Sequence, residues 1–380
     1  MIPVLYDAQY YPGNFVALGK LPGWRELTVT EERNGEFVLE GELAIGSLNA
    51  DMVGVDMVIR CAPAPPRANY ADMQPFRIRQ CTKKSDSDTI HIVAHHISYQ
   101  LRNYIISPSF AYSDTDVQDI LDELNNPSYN YITPSQGLFG FHSSIQTADA
   151  IQPEPDDPIS VRAWLGSDDP NSLASCINRD YAAHPLVGGQ IMEVEFDWDN
   201  FDVKIKAPRG GASNTVISYG RNMLTVDYDT DAAELVTGYY GWYRGNGYFK
   251  HAVSYRNGHG EFAYERIVAV DFSNEFENTP TDQQLQDAVD AYAGGKGTAV
   301  LPTYITVTAV PDSLQHLHLC DLVRVIHPGY GLSQFSKVVK VVYDPLRERY
   351  VSMTIGEMQK GITDTIARML KAGRDSYAVI

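Results

Sequence analysis

The strictest constraint in this sequence is a strand-like alternation of apolar and polar residues on both sides of an Asn-Gly pair, Asn34-Gly35. The apolar positions of this alternation are Leu27, Val29, Phe37, Leu39 and Leu43. Because successive side chains of a strand point to opposite faces, the pattern predicts a β-hairpin with one buried face. Asn-Gly predicts a type I′ turn, in which both central residues have positive φ.

The same alternation continues through the first hundred residues. Phe76–Cys81 and Thr89–His95 both alternate, and the polar turn Lys83–Asp88 separates them. Together with the first hairpin, these segments predict an antiparallel β region over residues 1–100.

The middle of the chain differs from its flanks in charge and in periodicity. Residues 101–190 carry 12 acidic and 3 basic side chains, a balance of −9. Ser113 or Asp114 can cap a helix, and Ile159–Leu165 and Leu173–Tyr181 are two shorter helical candidates. The apolar face of the first helix comprises Val117, Ile120, Leu121 and Leu124, at i, i+3, i+4 and i+7.

Strand patterns return after this segment. Apolar residues alternate on both sides of an Asp199-Asn200 turn, and a Tyr- and Gly-rich stretch follows at Tyr239–Gly260. One clear helix begins at Thr281, where Gln284 completes a capping box, and ends at Gly294-Gly295. The last strands are expected at Tyr304–Ala309, Leu322–Ile326 and Lys337–Tyr343, and Gly356–Ala372 is expected to form a helix.

The fold class predicted by these patterns is mainly β with α+β inserts. Two stretches of antiparallel β, each with about the number of strands of a small barrel, are separated by helical inserts. The predicted division is a first β domain at 1–100, an acidic helical insert at 101–188, a second β domain at 189–235 and 300–358, a smaller α/β insert at 236–299, and a C-terminal helix at 359–380.

Composition excludes several classes of protein. The 380 residues include 30 basic and 48 acidic side chains, a net charge of −18, which argues against a general binder of nucleic acid or anionic membranes. No apolar run approaches the roughly 18 residues needed to cross a bilayer, and no secretory signal is visible at the start. The cysteines Cys61, Cys81, Cys176 and Cys320 are far apart and predict buried free thiols.

Two histidine clusters are the candidate metal ligands. His91 and His95 would lie on one face of a strand, roughly 13 Å apart, which is too far to share a metal ion, and His96 follows them. His316 and His318 would share a strand face at closer range. No companion acid motif accompanies that pair, so ordinary half-buried histidines are the favoured interpretation.

Other catalytic patterns are weak. Cys176 could form a dyad with His184, but its helical context predicts a core cysteine. The glycine-rich stretches Pro208–Ala212 and Gly294–Gly297 lack the phosphate-loop frame. Carboxylate pairs occur at Asp156-Asp157 and Asp168-Asp169, where a solvated loop is expected and a calcium site is an open alternative. We therefore predict no catalytic residue, no cofactor and no metal.

Seven segments, taken in order, resemble a known family, the siphophage tail-associated proteins. They are Leu27–Gly41, Gln74–Ile78, Ile90–Leu101, Gly188–Gln190 with Phe201–Gly211, Ser218–Leu224, Leu319–Val325, and Lys337–Tyr350. The similarity is to the N-terminal structural region of these proteins. The family is also labelled prophage tail endopeptidase or phage minor structural protein, and it includes the Tal baseplate hub.

The resemblance implies a fold shared with the baseplate hubs of contractile tails, in which two β-barrel-like hub domains alternate with two smaller insert domains. It also implies a homotrimeric ring at the virion tail tip. It implies the Dit distal tail protein, the tail tube, the tape measure protein and receptor-binding proteins as partners. It also implies assembly in the bacterial host cytoplasm and passage of DNA through the ring. Longer members carry a C-terminal hydrolase, and this chain stops at Ile380, just past the hub region.

Three functions follow as hypotheses. The leading one is a structural hub without enzymatic activity, specific nucleic-acid binding or membrane insertion. The second is a peptidoglycan endopeptidase that uses His316 and His318 or Cys176. The third is a carbohydrate-binding module built on the aromatic-rich stretch Tyr239–Phe249, for which a protein interface is the favoured interpretation.

Overall fold

One β-sheet runs through both β-rich regions of the chain. The computed structural model describes residues 2–65, 73–126, 128–129, 131–133, 139–166, 171–183, 194–230, 232, 235–276, 278–296, 299, 303–309 and 315–356. Within these residues, thirteen strands belong to that sheet. The predicted mainly-β fold class is confirmed.

The described part of the first β region contains seven strands, all antiparallel to their neighbours. They are β1 (Val4–Tyr6), β2 (Ala17–Lys20), β3 (Trp24–Glu32), β4 (Phe37–Ala44), β5 (Val58–Cys61), β6 (Gln74–Lys84) and β7 (Thr89–His96). Their order in the sheet is β3-β4-β7-β6-β5-β1-β2. In β7 the even-numbered residues from Ile90 to His96 are buried and most of those between them are partly exposed, so the predicted alternation is confirmed.

The turn between β3 and β4 is not the predicted type I′. Asn34 has φ 56°, but Gly35 does not adopt positive φ. The Glu32 N–H donates to Glu36 O at 2.7 Å, which closes a three-residue loop instead of a two-residue one. The side chain of Asn34 is also engaged, because it donates to Val194 O at 2.8 Å and accepts from the Phe196 N–H at 2.9 Å.

The middle segment contains the predicted helices together with short strands. The elements are β8 (Ile105–Ile106), β9 (Asp114–Asp116), α1 (Val117–Leu124), β10 (Ile132–Thr133), β11 (Gly140–Ser143), β12 (Gln146–Ile151), β13 (Ile159–Ser160), α2 (Val161–Leu165) and α3 (Leu173–Ala183). The predicted apolar face of α1 is buried. Its predicted cap was wrong, because Asp116 accepts from the Gln118 N–H at 2.8 Å.

The next hairpin forms a small sheet with one strand of the middle segment. Its strands are β14 (Glu195–Asp199) and β15 (Asp202–Lys206), joined through Asn200, which has φ 55°. Strand β15 pairs in parallel with β11, and the hairpin packs in the first hydrophobic cluster. The sequence assigned this hairpin to the second β domain, so the predicted boundary between residues 188 and 189 does not coincide with the strand pairing.

The remaining described elements form the second β region and a smaller layer of helix on sheet. They are β16 (Ala212–Ser218), β17 (Met223–Thr230), β18 (Gly238–Gly245), β19 (Tyr248–Tyr255), β20 (Ile267–Asp271), α4 (Asp282–Gly295), β21 (Thr303–Ala309), β22 (Leu322–His327), β23 (Leu332–Asp344) and β24 (Arg349–Gly356). The capping box of Thr281 and Gln284 is confirmed. Strand β24 was missed, and Gly356, expected to begin a helix, ends this strand. The rest of the predicted terminal helix lies outside the described residues.

Strand β23 joins the two β regions. Its first half pairs with β22, and its second half pairs with both β24 and β3. Val342 lies opposite Thr30, and Tyr343 lies opposite Val29. The buried apolar residues that the structure describes nevertheless form three separate clusters, which span Leu5–Ile205, Ala62–Ile355 and Tyr239–Ala293. The division into five domain segments stays a prediction.

Candidate functional site

Segments that carry the sequence resemblance meet around one buried carboxylate, that of Glu195. One of its oxygens, Oε1, lies 2.7 Å from Arg33 Nε and 2.7 Å from Lys337 Nζ. The other, Oε2, accepts from the backbone N–H of Arg209 at 2.7 Å. Glu195 itself is completely buried. Two cations and a backbone donor therefore offset the cost of removing this charge from water.

The guanidinium of Arg209 extends the same network. It donates to Phe196 O at 2.8 Å and to Glu31 Oε1 at 2.8 Å, and it lies 3.3 Å from Asp197 Oδ1. Asp197 is also paired with Lys206 Nζ at 2.7 Å. We call this group of Glu31, Arg33, Glu195, Asp197, Lys206, Arg209 and Lys337 the ionic junction. It joins β3, β14, β15 and β23, so its role is to fix these strands relative to one another.

The glycine-rich stretch Pro208–Ala212 packs directly on the Leu319–Val325 motif. Gly210 has φ +83°, and a Cβ at this position would lie 2.4 Å from Cys320 O. The carboxylate of Asp321 accepts from the Gly211 N–H at 3.1 Å and from the His318 N–H at 2.9 Å. Burial raises the pKa of the Cys320 thiol to about 12, so the thiol stays protonated and unreactive.

An open cleft of about 510 Å³ lies beside the ionic junction. Its lining includes Lys206, Arg209, His316 and Asp321. The two cations are paired with Asp197 and Glu31, as described above. A hydroxyl and an imidazole do meet beside the cleft, where Thr215 Oγ1 lies 2.6 Å from His316 Nε2, but the two neighbouring cations are already paired with carboxylates.

The first histidine cluster has structural contacts. His91 Nε2 lies 3.4 Å from Glu40 Oε1, and the ring of His95 packs against Tyr99 at 4.5 Å between centroids. His96 is buried, stacks on Phe37 at 4.4 Å and donates to Gln74 Oε1 at 3.2 Å. Burial lowers the pKa of His96 to about 3, so this ring is neutral in the folded protein.

His316 and His318 do not lie on a strand, which corrects the sequence interpretation. They occupy the irregular segment before β22. His316 Nε2 lies within hydrogen-bond distance of Thr215 Oγ1, at 2.6 Å, and His318 Nδ1 lies 3.2 Å from His316 O. Both rings are therefore engaged with their own loop and its neighbour.

Cys176 lies buried in α3. Its thiol donates to Gln152 O at 3.8 Å, and Arg179 Nη2 lies 3.4 Å from its sulfur. His184, the partner considered for a dyad, lies outside the described residues. Buried free cysteine is the common state of this residue type, and these contacts agree with it.

Among the described residues, the acidic pairs do not contribute to a metal site. Asp156 accepts from Asn171 Nδ2 at 3.2 Å on the surface, whereas Asp168-Asp169 lies outside the described residues. Among the residues that the structure describes, no group of three or more His, Cys, Asp or Glu side chains is arranged to hold a metal ion. Among the same residues, no helix has the length and hydropathy needed to cross a bilayer.

The aromatic-rich stretch Tyr239–Phe249 is divided between the two faces of its hairpin. Tyr239 and Tyr243 are buried against α4, whereas Phe249 is half exposed on the other face. On that open face, Trp242 stacks on Phe249 at 6.3 Å, and Tyr240 stacks on His251 at 5.0 Å. Ring faces that are engaged with each other are less available to stack on a sugar, which favours the interface interpretation.

Sequence reasoning missed the ionic junction. In the sequence, Val194, Phe196 and Trp198 alternate with Glu195 and Asp197, a pattern that is typical of a strand with one buried face. Both faces of β14 are in fact buried, since Glu195 to Trp198 are all inaccessible. Counting acids and bases along the sequence could not reveal the pairing, because its members come from four separate segments.

Comparison with known proteins supports the resemblance. Residues 212–366 match the sequence model of the family described as "Prophage endopeptidase tail". No curated protein sequence matches the chain. The resemblance to phage tail proteins is therefore confirmed over that segment by an independent match.

Three solved tail proteins share the fold. Prophage tail protein gp18 from Listeria monocytogenes has a TM-score of 0.58 at 15% identity, over 98% of this chain and 99% of that one. The 43 kDa tail protein of prophage MuSo2 from Shewanella oneidensis has a TM-score of 0.57 at 13% identity, over 93% and 98%. The tail protein from Neisseria meningitidis has a TM-score of 0.53 at 10% identity, over 94% and 96%.

Proposed function

We propose that this chain is a structural hub of a phage or prophage tail, placed at the tail tip and free of enzymatic turnover. The observation that carries the proposal is the ionic junction. Residues from the motif segments Leu27–Gly41, Phe201–Gly211 and Lys337–Tyr350 meet there in paired, buried contacts that fix strands together. Paired charges that fix strands together are typical of a rigid scaffold. The three tail proteins of the same fold support a location in a phage tail.

The finer assignment is a ring of three chains through which DNA leaves the tail. We propose the Dit ring, the tail tube and the tape measure protein as its neighbours, with receptor-binding proteins attached outside and assembly in the host cytoplasm. DNA carries one charge per about 1.7 Å of helix axis, so a basic channel would retain it. A chain of net charge −18 is suited to a wall that lets DNA slide.

Electron microscopy of particles tests the location. Antibodies raised against the purified chain should label the distal end of tails released from a strain that encodes it. Particles from a deletion strain should lack both the label and a complete tip, and a plasmid copy should restore them. Label on capsids or on no particle would overturn the proposed function.

A peptidoglycan endopeptidase is the second candidate, because the description of the matched family contains the word endopeptidase. The described contacts favour it less, since Cys176 lies buried in a helix and the cations beside His316 are paired with carboxylates. Purified protein incubated with Gram-positive cell wall should release no new amino groups. Release that disappears in His316→Ala or Cys176→Ala would support the enzyme instead.

A further inference from the structure

The chain contains three Asn-Gly pairs, Asn34-Gly35, Asn246-Gly247 and Asn257-Gly258. Asparagine before glycine is prone to deamidation, because glycine has no Cβ to keep its amide nitrogen away from the asparagine side chain. All three pairs lie in turns, and all three asparagines are exposed. Neither the dipeptide nor access to water distinguishes the pairs, so the folded structure decides which of them react.

Deamidation requires that two groups of the pair are free to meet. The glycine N–H gives its proton to a base in solution, and the nitrogen attacks Cγ of the asparagine. The bond from Cγ to Nδ2 breaks and ammonia leaves, which closes a five-membered succinimide. Water then opens this ring to aspartate or isoaspartate. The attack proceeds only from a conformation that brings the nitrogen to Cγ, so the side chain must be able to rotate.

Both reacting groups of the first pair are occupied. The Asn34 carboxamide donates to Val194 O at 2.8 Å and accepts from the Phe196 N–H at 2.9 Å. The Gly35 N–H donates to Glu32 O at 3.1 Å. Reaction at Asn34 therefore needs a local opening that breaks these bonds together, which makes it slow in the folded protein.

The third pair is bonded only through its main chain. The His259 N–H donates to Arg256 O at 3.2 Å and closes a turn around Asn257 and Gly258, where Gly258 has φ 78°. The carbonyl of Asn257 accepts from the Ala299 N–H at 2.7 Å. Among the residues that the structure describes, neither the Asn257 carboxamide nor the Gly258 N–H makes a hydrogen bond. The turn is thus fixed while both reacting groups stay free.

The second pair lies between these two cases. Asn246 and Gly247 form the turn between β18 and β19, with φ 51° and 80°. The Asn246 carboxamide donates to Thr279 Oγ1 at 3.4 Å, a long bond at an exposed site. This bond restrains the side chain less than the two shorter bonds of Asn34 do.

We propose that Asn257 is a site of spontaneous deamidation in the folded protein, that Asn246 reacts more slowly, and that the fold protects Asn34. The inference concerns the chain itself and does not depend on the proposed function. Aspartate would add a negative charge to the turn after β19. Isoaspartate would also route the main chain through Cβ, so that the carbonyl now bonded to Ala299 would become part of a side-chain carboxylate.

Peptide mapping after incubation of the purified protein at mildly alkaline pH tests the order of the three sites. A protease that cleaves after lysine places the pairs in three separate peptides, residues 21–83, 207–250 and 251–296. Mass spectrometry follows the replacement of amide by acid in each peptide. We expect Asn257 to react at least about 10-fold faster than Asn34, with Asn246 between them.

Two controls assign the effect to the fold. Asn257→Gln should remove the change in peptide 251–296 and leave the other two peptides as they are. In concentrated urea the three rates should converge to within about threefold, because the bonds that protect Asn34 are lost. Equal rates at Asn34 and Asn257 in the folded protein would overturn the proposal. An unchanged order of rates in urea would overturn it as well, since the sequence around each pair would then be the cause.

Discussion

The carboxylate of Glu195 accepts a hydrogen bond from Lys337 Nζ at 2.7 Å, although 142 residues separate the two in the chain. Glu195 lies on β14, whose hairpin pairs with the middle segment, and Lys337 lies on β23, which continues into the pairing with β3. Arg33 reaches the same oxygen from the turn after β3. One carboxylate thus connects three parts of the fold.

Glu195→Gln should destabilise the protein by about 3–5 kcal/mol. The amide keeps the size of the side chain but leaves the partly buried cations of Arg33 and Lys337 without their shared, fully buried anion. Urea unfolding followed by fluorescence measures the free energy of unfolding. Asp202→Asn, on the exposed end of the same hairpin, should change it by less than about 0.5 kcal/mol. Equal effects of the two variants would contradict a structural role for the junction.

Gly210→Ala should cost at least about 3 kcal/mol, because the new Cβ would meet the Cys320 carbonyl in addition to the strain of φ +83°. Gly220→Ala is the matched control. Its φ is +78° and a Cβ there meets nothing within 4 Å, so only the backbone strain of about 1 kcal/mol remains. Thermal unfolding of the two variants separates close approach from strain, and similar melting temperatures would refute the close packing.

Asn34→Gly should destabilise by about 1–3 kcal/mol. Glycine accepts the positive φ without strain, so the loss reflects the two hydrogen bonds to Val194 and Phe196. Asn246→Gly is the control, because Asn246 also has positive φ in a hairpin turn but makes only a long, exposed side-chain bond to Thr279. If the control lost as much stability as Asn34→Gly, the tertiary bonds of Asn34 would not be the cause.

The neutral, buried His96 should make stability depend on pH. Its folded-state pKa of about 3 lies below the ordinary value of 6.5, so the unfolded chain binds the proton first as pH falls. The contribution is complete above pH 6.5 and declines towards pH 3 at up to about 1.4 kcal/mol per pH unit. His96→Gln should flatten the profile between these values in chemical unfolding, and His251→Gln, at an exposed site, should not.

Local sequence and tertiary contacts contributed differently to the start of α4 and to the turn between β3 and β4. The Thr281–Gln284 box predicted the start of α4, because every group that forms it lies within four residues. The Asn34-Gly35 pair predicted a hairpin but the wrong turn, because the Asn34 amide also bonds residues 160 positions away. Strand β24 was missed for a related reason: its partners β21 and β23 decide its pairing.

The sequence by itself determined the alternation of the strands, the apolar faces of the helices and the order of the motifs, since these depend on neighbours at fixed short spacing. These local patterns were enough to predict the fold class and to identify the resemblance to tail proteins. Only the tertiary structure decided that both β regions share one sheet through β3 and β23, and that Glu31, Glu195, Arg209 and Lys337 form one buried network. A charged residue on a strand reads as exposed from its neighbours alone, and its burial becomes favourable only when distant segments bring the opposite charges that offset its desolvation.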